Sequence, residues 1–310
     1  MPQKTSWGKI FLVVLLIFGK SAKLLKLAKI AKPAIAFASM ALSAFAYAFW
    51  LGPWFAIGLV AMLFIHEMGH VIALRLKGYQ ASTPVFIPFL GAAVFVPKFK
   101  DRGNETYVGY GGPLLGSIGA AGLFGAWFFL PENSVAAHLV LITSYAAVFL
   151  NLFNMIPVSP LDGGRITQAA GQWFQYVGVS VLAIFSFFFR EPVILFIWIL
   201  VISELHFIKP GLKAIMAVLC DVGMTVLMYL GYSHQPWWVD VFDIFVATGL
   251  TIAIVGSVWT GDEEVLGKDN RPDLPLHRRI WWFLLYAELT IALVLLLVYQ
   301  TSLLPQVPTK

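Results

Sequence analysis

PWFAIGLVAMLFIHEMGHVIALRLK, residues 53–77, is the stretch on which the fold turns. About 20 apolar residues in a helix cross a bilayer, and from Pro53 to Leu74 the only strongly polar side chains are His66, Glu67 and His70. His66 and His70 are four apart, so a helix presents both imidazoles on one face to a single ion. Glu67, beside His66, can act as general base on a water held there. Two membrane histidines could instead serve packing or proton relay. The cost of placing a carboxylate and two imidazoles in an apolar span without a function weighs against that.

The rest of the chain fits a membrane setting. Of 310 residues, 59% are hydrophobic and only 12% charged, where soluble domains run near one quarter charged. The net charge of +5 needs no nucleic-acid partner, because Lys and Arg gather at one end of membrane helices. A single cysteine, Cys220, excludes an intramolecular disulfide. Lys4 and Lys9 precede a short apolar run, Ile10 to Phe18, but Gly19 to Lys23 is too basic for a usual cleavage site, so this segment is read as retained.

Apolar windows predict nine spans, at 33–51, 53–75, 109–130, 134–156, 165–187, 192–208, 211–231, 238–259 and 279–300. Residues 5–31 read as a separate basic amphipathic helix anchored at the interface of the lipid bilayer. With the N-terminus in the cytoplasm and the C-terminus external, every Lys and Arg except Arg190 and Lys310 falls on the cytoplasmic side. The organisation expected is an interfacial helix over 1–32, a core over 33–208 and additional C-terminal transmembrane helices over 209–310. Within the core, residues 84–98 carry Pro84, Pro88 and Pro97 around Gly91. Prolines oppose a helix there, and the Val, Phe and Ile content predicts a short β-hairpin dipping into the membrane or lining a cavity.

Catalytic zinc takes three protein ligands and keeps one position open, and 66–70 supplies two. Asp162, in Asn154-Met-Ile-Pro157-Val-Ser-Pro160-Leu161-Asp162-Gly163-Gly164, follows the fourth span on the same side as His70. Read alone, it serves at least as well as an N-cap for the next helix. Asp221 and Glu288 lie inside predicted spans, where a hydrogen-bonded helix contact is the plainer reading than a functional carboxylate. Glu204 and His206 lack a matching motif position.

His66-Glu67-x-x-His70, then Asn154-x-x-Pro157, then Leu161-Asp162-Gly163-Gly164 resembles the site-2 protease family of intramembrane zinc metalloproteases. The resemblance covers about residues 33–208. It implies an all-α polytopic membrane protein with a six-helix protease core, the small membrane-dipping hairpin at 84–98 and about three extra C-terminal spans. It implies one zinc ion on His66, His70 and Asp162, with Glu67 activating water and Asn154 holding substrate or the oxyanion. Gly112-Pro113 loosely matches a Gly-Pro that opens the family's third core helix. The implied substrates are membrane proteins cut within or beside a transmembrane helix near the cytoplasmic side, for signal release or signal-peptide clearance, in the cell's inner membrane. Prenyl-protein-type or heat-shock-type membrane proteases use a glutamate as third ligand, against the Asp162 setting. A transporter would want paired repeats, which the chain lacks. A catalytically inactive zinc-binding membrane scaffold is the alternative, and the intact Glu67 argues against it.

Overall fold

The computed structural model describes residues 22–87, 91–94, 99, 101–132, 134–159, 161–171, 173–189, 209–230 and 274–304, with positions 198, 199, 202, 247, 248 and 251. The predicted windows 192–208 and 238–259, the predicted helix before residue 22, Arg190, Glu204 and His206 lie wholly or largely outside these.

The described chain is helical, with one small sheet. Helix α1 spans Ala22–Leu51 and α2 Pro53–Leu76. Strands β1 (Val85–Ile87) and β2 (Gly91–Ala93) follow. Then come α3 (Arg102–Trp127), α4 (Val135–Asn154), the short α5 (Asp162–Thr167), α6 (Phe174–Phe189), α7 (Pro210–Tyr229) and α8 (Leu276–Leu303). Helices α2, α4, α7 and α8 are long and apolar enough to cross a membrane, and the apolar part of α1, Ala34–Phe49, is shorter. Large apolar side chains stand on their outer surfaces, among them Phe37, Trp54, Ile142 and Leu295. Water would penalise such a surface, whereas lipid tails accept it.

Three boundaries differ from the sequence reading. The predicted break near residue 32 is absent, because α1 continues through Pro33. The boundary between windows 33–51 and 53–75 agrees: the chain turns at Gly52, whose φ of 82° is open to glycine and strained for other residues, with Pro53 starting α2 where its missing N–H costs nothing. Helix α3 starts at Arg102, not near 109, because the Asp101 carboxylate caps it by accepting the Asn104 N–H at 2.8 Å. Gly112-Pro113 therefore lies in mid-helix. The expected helix 165–187 is interrupted: α5 ends in a turn at Gly171, φ 157°, before α6 begins.

The strands pair antiparallel, with Val85 opposite Ala93, Phe86 opposite Ala92 and Ile87 opposite Gly91. Phe86 is buried among Tyr47, Ala56 and Val60 of α1 and α2, and its N–H donates to Ser39 Oγ at 3.1 Å. The outer edge of β1 is thereby engaged by α1.

The central core joins α2, α3, α4, α5 and α8 through Met62, Ala120, Val148, Met155, Ile166 and Leu289. Glycines set how closely α2 and α3 approach. A Cβ on Gly69 would collide with the Gly111 carbonyl, and one on Gly111 would lie 2.8 Å from Ala73 Cβ. Helix α8 docks along this core, with Tyr107 and Tyr110 of α3 edge-on to Trp282 and Phe124 edge-on to Tyr299. In α7, Asp221 accepts from Thr248 Oγ1 at 3.3 Å, the helix contact that the plainer reading gave it. Glu288 of α8 is exposed.

Candidate metal centre

Helix α2 brings His66, Glu67 and His70 into the interior, all buried. The turn after α4 brings Asp162 to meet them. Leu161, not Asp162, holds the N-cap position of α5 and makes no side-chain cap, so Asp162 stands inside the helix. Gly163 and Gly164 make that position reachable. A Cβ on Gly163 would strike the Met155 and Ile156 carbonyls, and one on Gly164 the backbone at Val158 and Ser159. Only the glycine pair lets α5 lie against the preceding turn.

Three atoms converge there. Asp162 Oδ2 lies 3.1 Å from His66 Nε2 and 3.2 Å from His70 Nε2, and the two Nε2 atoms are 3.3 Å apart. Two ligands each about 2.1 Å from a tetrahedral zinc stand roughly 3.4 Å apart, so the triangle has the size of one face of a zinc site. Its chemistry fits as well. His66 Nδ1 lies 2.9 Å from Asn151 Oδ1, and His70 Nδ1 lies 2.8 Å from the Val108 carbonyl. Both partners only accept, so each Nδ1 carries the proton and donates it. In the neutral rings both Nε2 atoms then point lone pairs at the Asp162 carboxylate, an arrangement that calls for a cation between them. His66, Glu67 and His70 form a group able to hold a metal, their ligand atoms within 4.8 Å of one another. Glu67 is buried beside the two histidines.

Asn151 was not among the residues singled out from sequence. Its Nδ2 donates to the Ala147 carbonyl at 2.8 Å, which turns Oδ1 toward His66. A Cβ on Gly116 would occupy the space of Asn151 Oδ1, and one on Gly112 would overlap the His70 imidazole. The small face of α3 is thus the wall against which the His70 ring and the Asn151 amide are set. A buried asparagine in an apolar span was itself a signal, since such a group is costly without a partner. Asn154, which the sequence motif favoured, ends α4 half-buried, one turn beyond Asn151, and no hydrogen bond joins it to His66, His70 or Asp162.

Known proteins with sequence similarity to this chain are zinc metalloproteases by name. The Arabidopsis thaliana protein named "Probable zinc metalloprotease EGY1, chloroplastic" is 26% identical over 158 residues, covering 37% of this chain and 29% of its own length. The Oryza sativa protein of the same name is 27% identical over 158 residues, covering 37% of this chain and 27% of its own. Zinc metalloprotease MJ0392 of Methanocaldococcus jannaschii is 30% identical over 105 residues, covering 34% of this chain and 30% of its own. The chain is related to the site-2 proteases. It spans under a third of the length of these site-2 protease relatives. No family model and no solved structure matches it.

Proposed function

We propose that this protein is a site-2-type intramembrane zinc metalloprotease that hydrolyses peptide bonds within or next to transmembrane helices of other membrane proteins. The observation that carries the proposal is the triangle of His66 Nε2, His70 Nε2 and Asp162 Oδ2, with edges of 3.1 to 3.3 Å and Glu67 beside it. In this reading His66, His70 and Asp162 hold one zinc ion. Bound zinc supplies Lewis acidity, polarising a peptide carbonyl and making water acidic enough to deprotonate near neutral pH. Glu67 accepts that proton and passes it to the leaving amine. Asn151 and the Val108 carbonyl keep the two rings in the tautomer that leaves Nε2 free for metal. Asn154 is assigned to substrate or oxyanion contact from the edge of the site.

A substrate helix must unwind before it can be cut, because its carbonyls are tied in i→i−4 bonds. The β1–β2 pair offers an unwound segment a place to bind by strand addition. With β1 engaged by Ser39 of α1, β2 carries the edge for this role. We assign the centre to the cytoplasmic side of an inner membrane, because Arg75 and Lys77 follow His70 at the end of α2, with water entering from that side.

The test uses purified protein in detergent and a model transmembrane substrate. Glu67→Gln should keep its zinc and lose cleavage by about 10²- to 10⁴-fold. Wild type that holds zinc and cleaves nothing would favour a zinc-binding scaffold instead.

A further inference from the structure

We infer that the last helix, α8, is a working part of the metal centre, and that its Tyr286 and Arg279 are positioning residues for Asp162. The inference rests on the metal-site reading above. Asp162 arrives on a short segment with no long helix of its own: the turn after α4, the six residues of α5 and the turn to Gly171. Helix α8 grips that segment at both ends. Tyr286 Oη donates to the Met155 carbonyl at 2.6 Å. That carbonyl is one of the groups against which Gly163, the neighbour of Asp162, is packed. At the other end the Arg279 guanidinium donates twice to the Ala170 carbonyl, from Nε at 3.1 Å and from Nη2 at 2.5 Å. Both carbonyls lie where a helix has ended, so neither has an ordinary helical partner.

Beyond Tyr286 on α8, Leu289 and Leu293 share a core cluster with Met155 and Ile166, which flank Asp162 in sequence. One turn from the C-terminal end, buried Gln300 donates to Ser144 Oγ at 2.7 Å, and Ser144 donates to the Ala120 carbonyl at 2.8 Å. This ties α8 to α4 and α3, the helices that carry Asn151 and the Val108 carbonyl. The register of α8 is therefore fixed to the same helices that orient both imidazoles. A shift of α8 would move Met155 and Ala170, and with them the carboxylate, relative to the two rings that α2 carries. Zinc affinity depends on the three donors keeping one geometry, so loosening one of them weakens it.

The experiment is a chelator competition on full-length protein in detergent, measuring zinc affinity of wild type, Tyr286→Phe, Arg279→Gln, the double variant and Leu295→Ala, whose side chain is exposed. Tyr286→Phe keeps the ring and removes only the hydroxyl. Each single change should weaken zinc by about 3- to 10-fold, as for loss of one hydrogen bond. Leu295→Ala should bind as wild type does. Cobalt substituted for zinc gives a second readout, since its visible spectrum reports ligand geometry and should change in Tyr286→Phe and Arg279→Gln alone. This separates positioning from general loosening, which would lower thermal stability while the folded fraction kept wild-type affinity and spectrum. If one variant fails to fold, the other carries the test by both readouts. Wild type that binds zinc, with folded Tyr286→Phe or Arg279→Gln matching it within about two-fold and in spectrum, overturns the inference alone. Wild type that binds no zinc overturns the metal-site reading, and this inference with it.

Discussion

At the scale of single residues, the centre depends as much on what is missing as on what is present. Gly112 is packed so closely on His70 that a methyl group would occupy the space of the imidazole. Gly112→Ala should cost about 1–3 kcal/mol of stability and most of the zinc, read by thermal unfolding and metal analysis. Gly122, on the same helix with open space around its Cα, is the control. Gly122→Ala should leave zinc untouched and stabilise α3 by about 0.5–1 kcal/mol. Asn151→Ala leaves the His66 Nδ1–H without its acceptor and should weaken zinc by about 10- to 100-fold. Asn151→Asp, which keeps an acceptor there, should recover much of that loss in the same chelator competition. Sequence made His66, Glu67 and His70 legible because their geometry is local, set by a spacing of four on one helix. Asp162 needed more. Its own neighbourhood allowed an N-cap, and only the motif resemblance raised it. Asn151 escaped because its partner is 85 residues away, and nothing near it in the chain announces that contact.

At the scale of elements, helices whose limits are set by capping or glycine resist detection in an apolar chain. A window of mean hydropathy runs smoothly across Gly171, so the break between α5 and α6 was hidden. Asp101-x-x-Asn104 was a readable start for α3, but its polar first turn lies outside the apolar window. Gly52 is the opposite case, a visible Gly-Pro pair that the structure uses for the α1–α2 turn. At a φ of 82°, Gly52→Ala should destabilise the protein by about 1–2 kcal/mol, although nothing crowds the position. Thermal unfolding with zinc saturating checks this, and zinc affinity in the folded protein should stay as in wild type. The docking of α8 was illegible for another reason. An amphipathic helix in water reveals its buried face by contrast. Here lipid-facing Leu295 and Val298 are as apolar as core-facing Leu289 and Leu293, so composition cannot tell one face from the other.

At the scale of the whole molecule, a polar cluster sits inside an apolar helical assembly and is reached by chain from either side of it. Helix α2 carries His66 and His70, the first residue of α5 is Asp162, α3 packs on His70 and Asn151, and α8 packs against α3, α4 and α5. Such a site would attack only peptide bonds that leave their helix, so a substrate with a central Gly-Pro should be cut faster than one built of strong helix formers. Equal rates for the two would remove the role assigned to unwinding. The central claim is that His66, His70 and Asp162 together hold zinc. Metal analysis of purified wild type, Glu67→Gln, His66→Ala and Asp162→Ala tests it most directly. The account predicts near-stoichiometric zinc in the first two and its loss from the last two. Asp162→Ala that is folded and retains zinc as wild type does would contradict it.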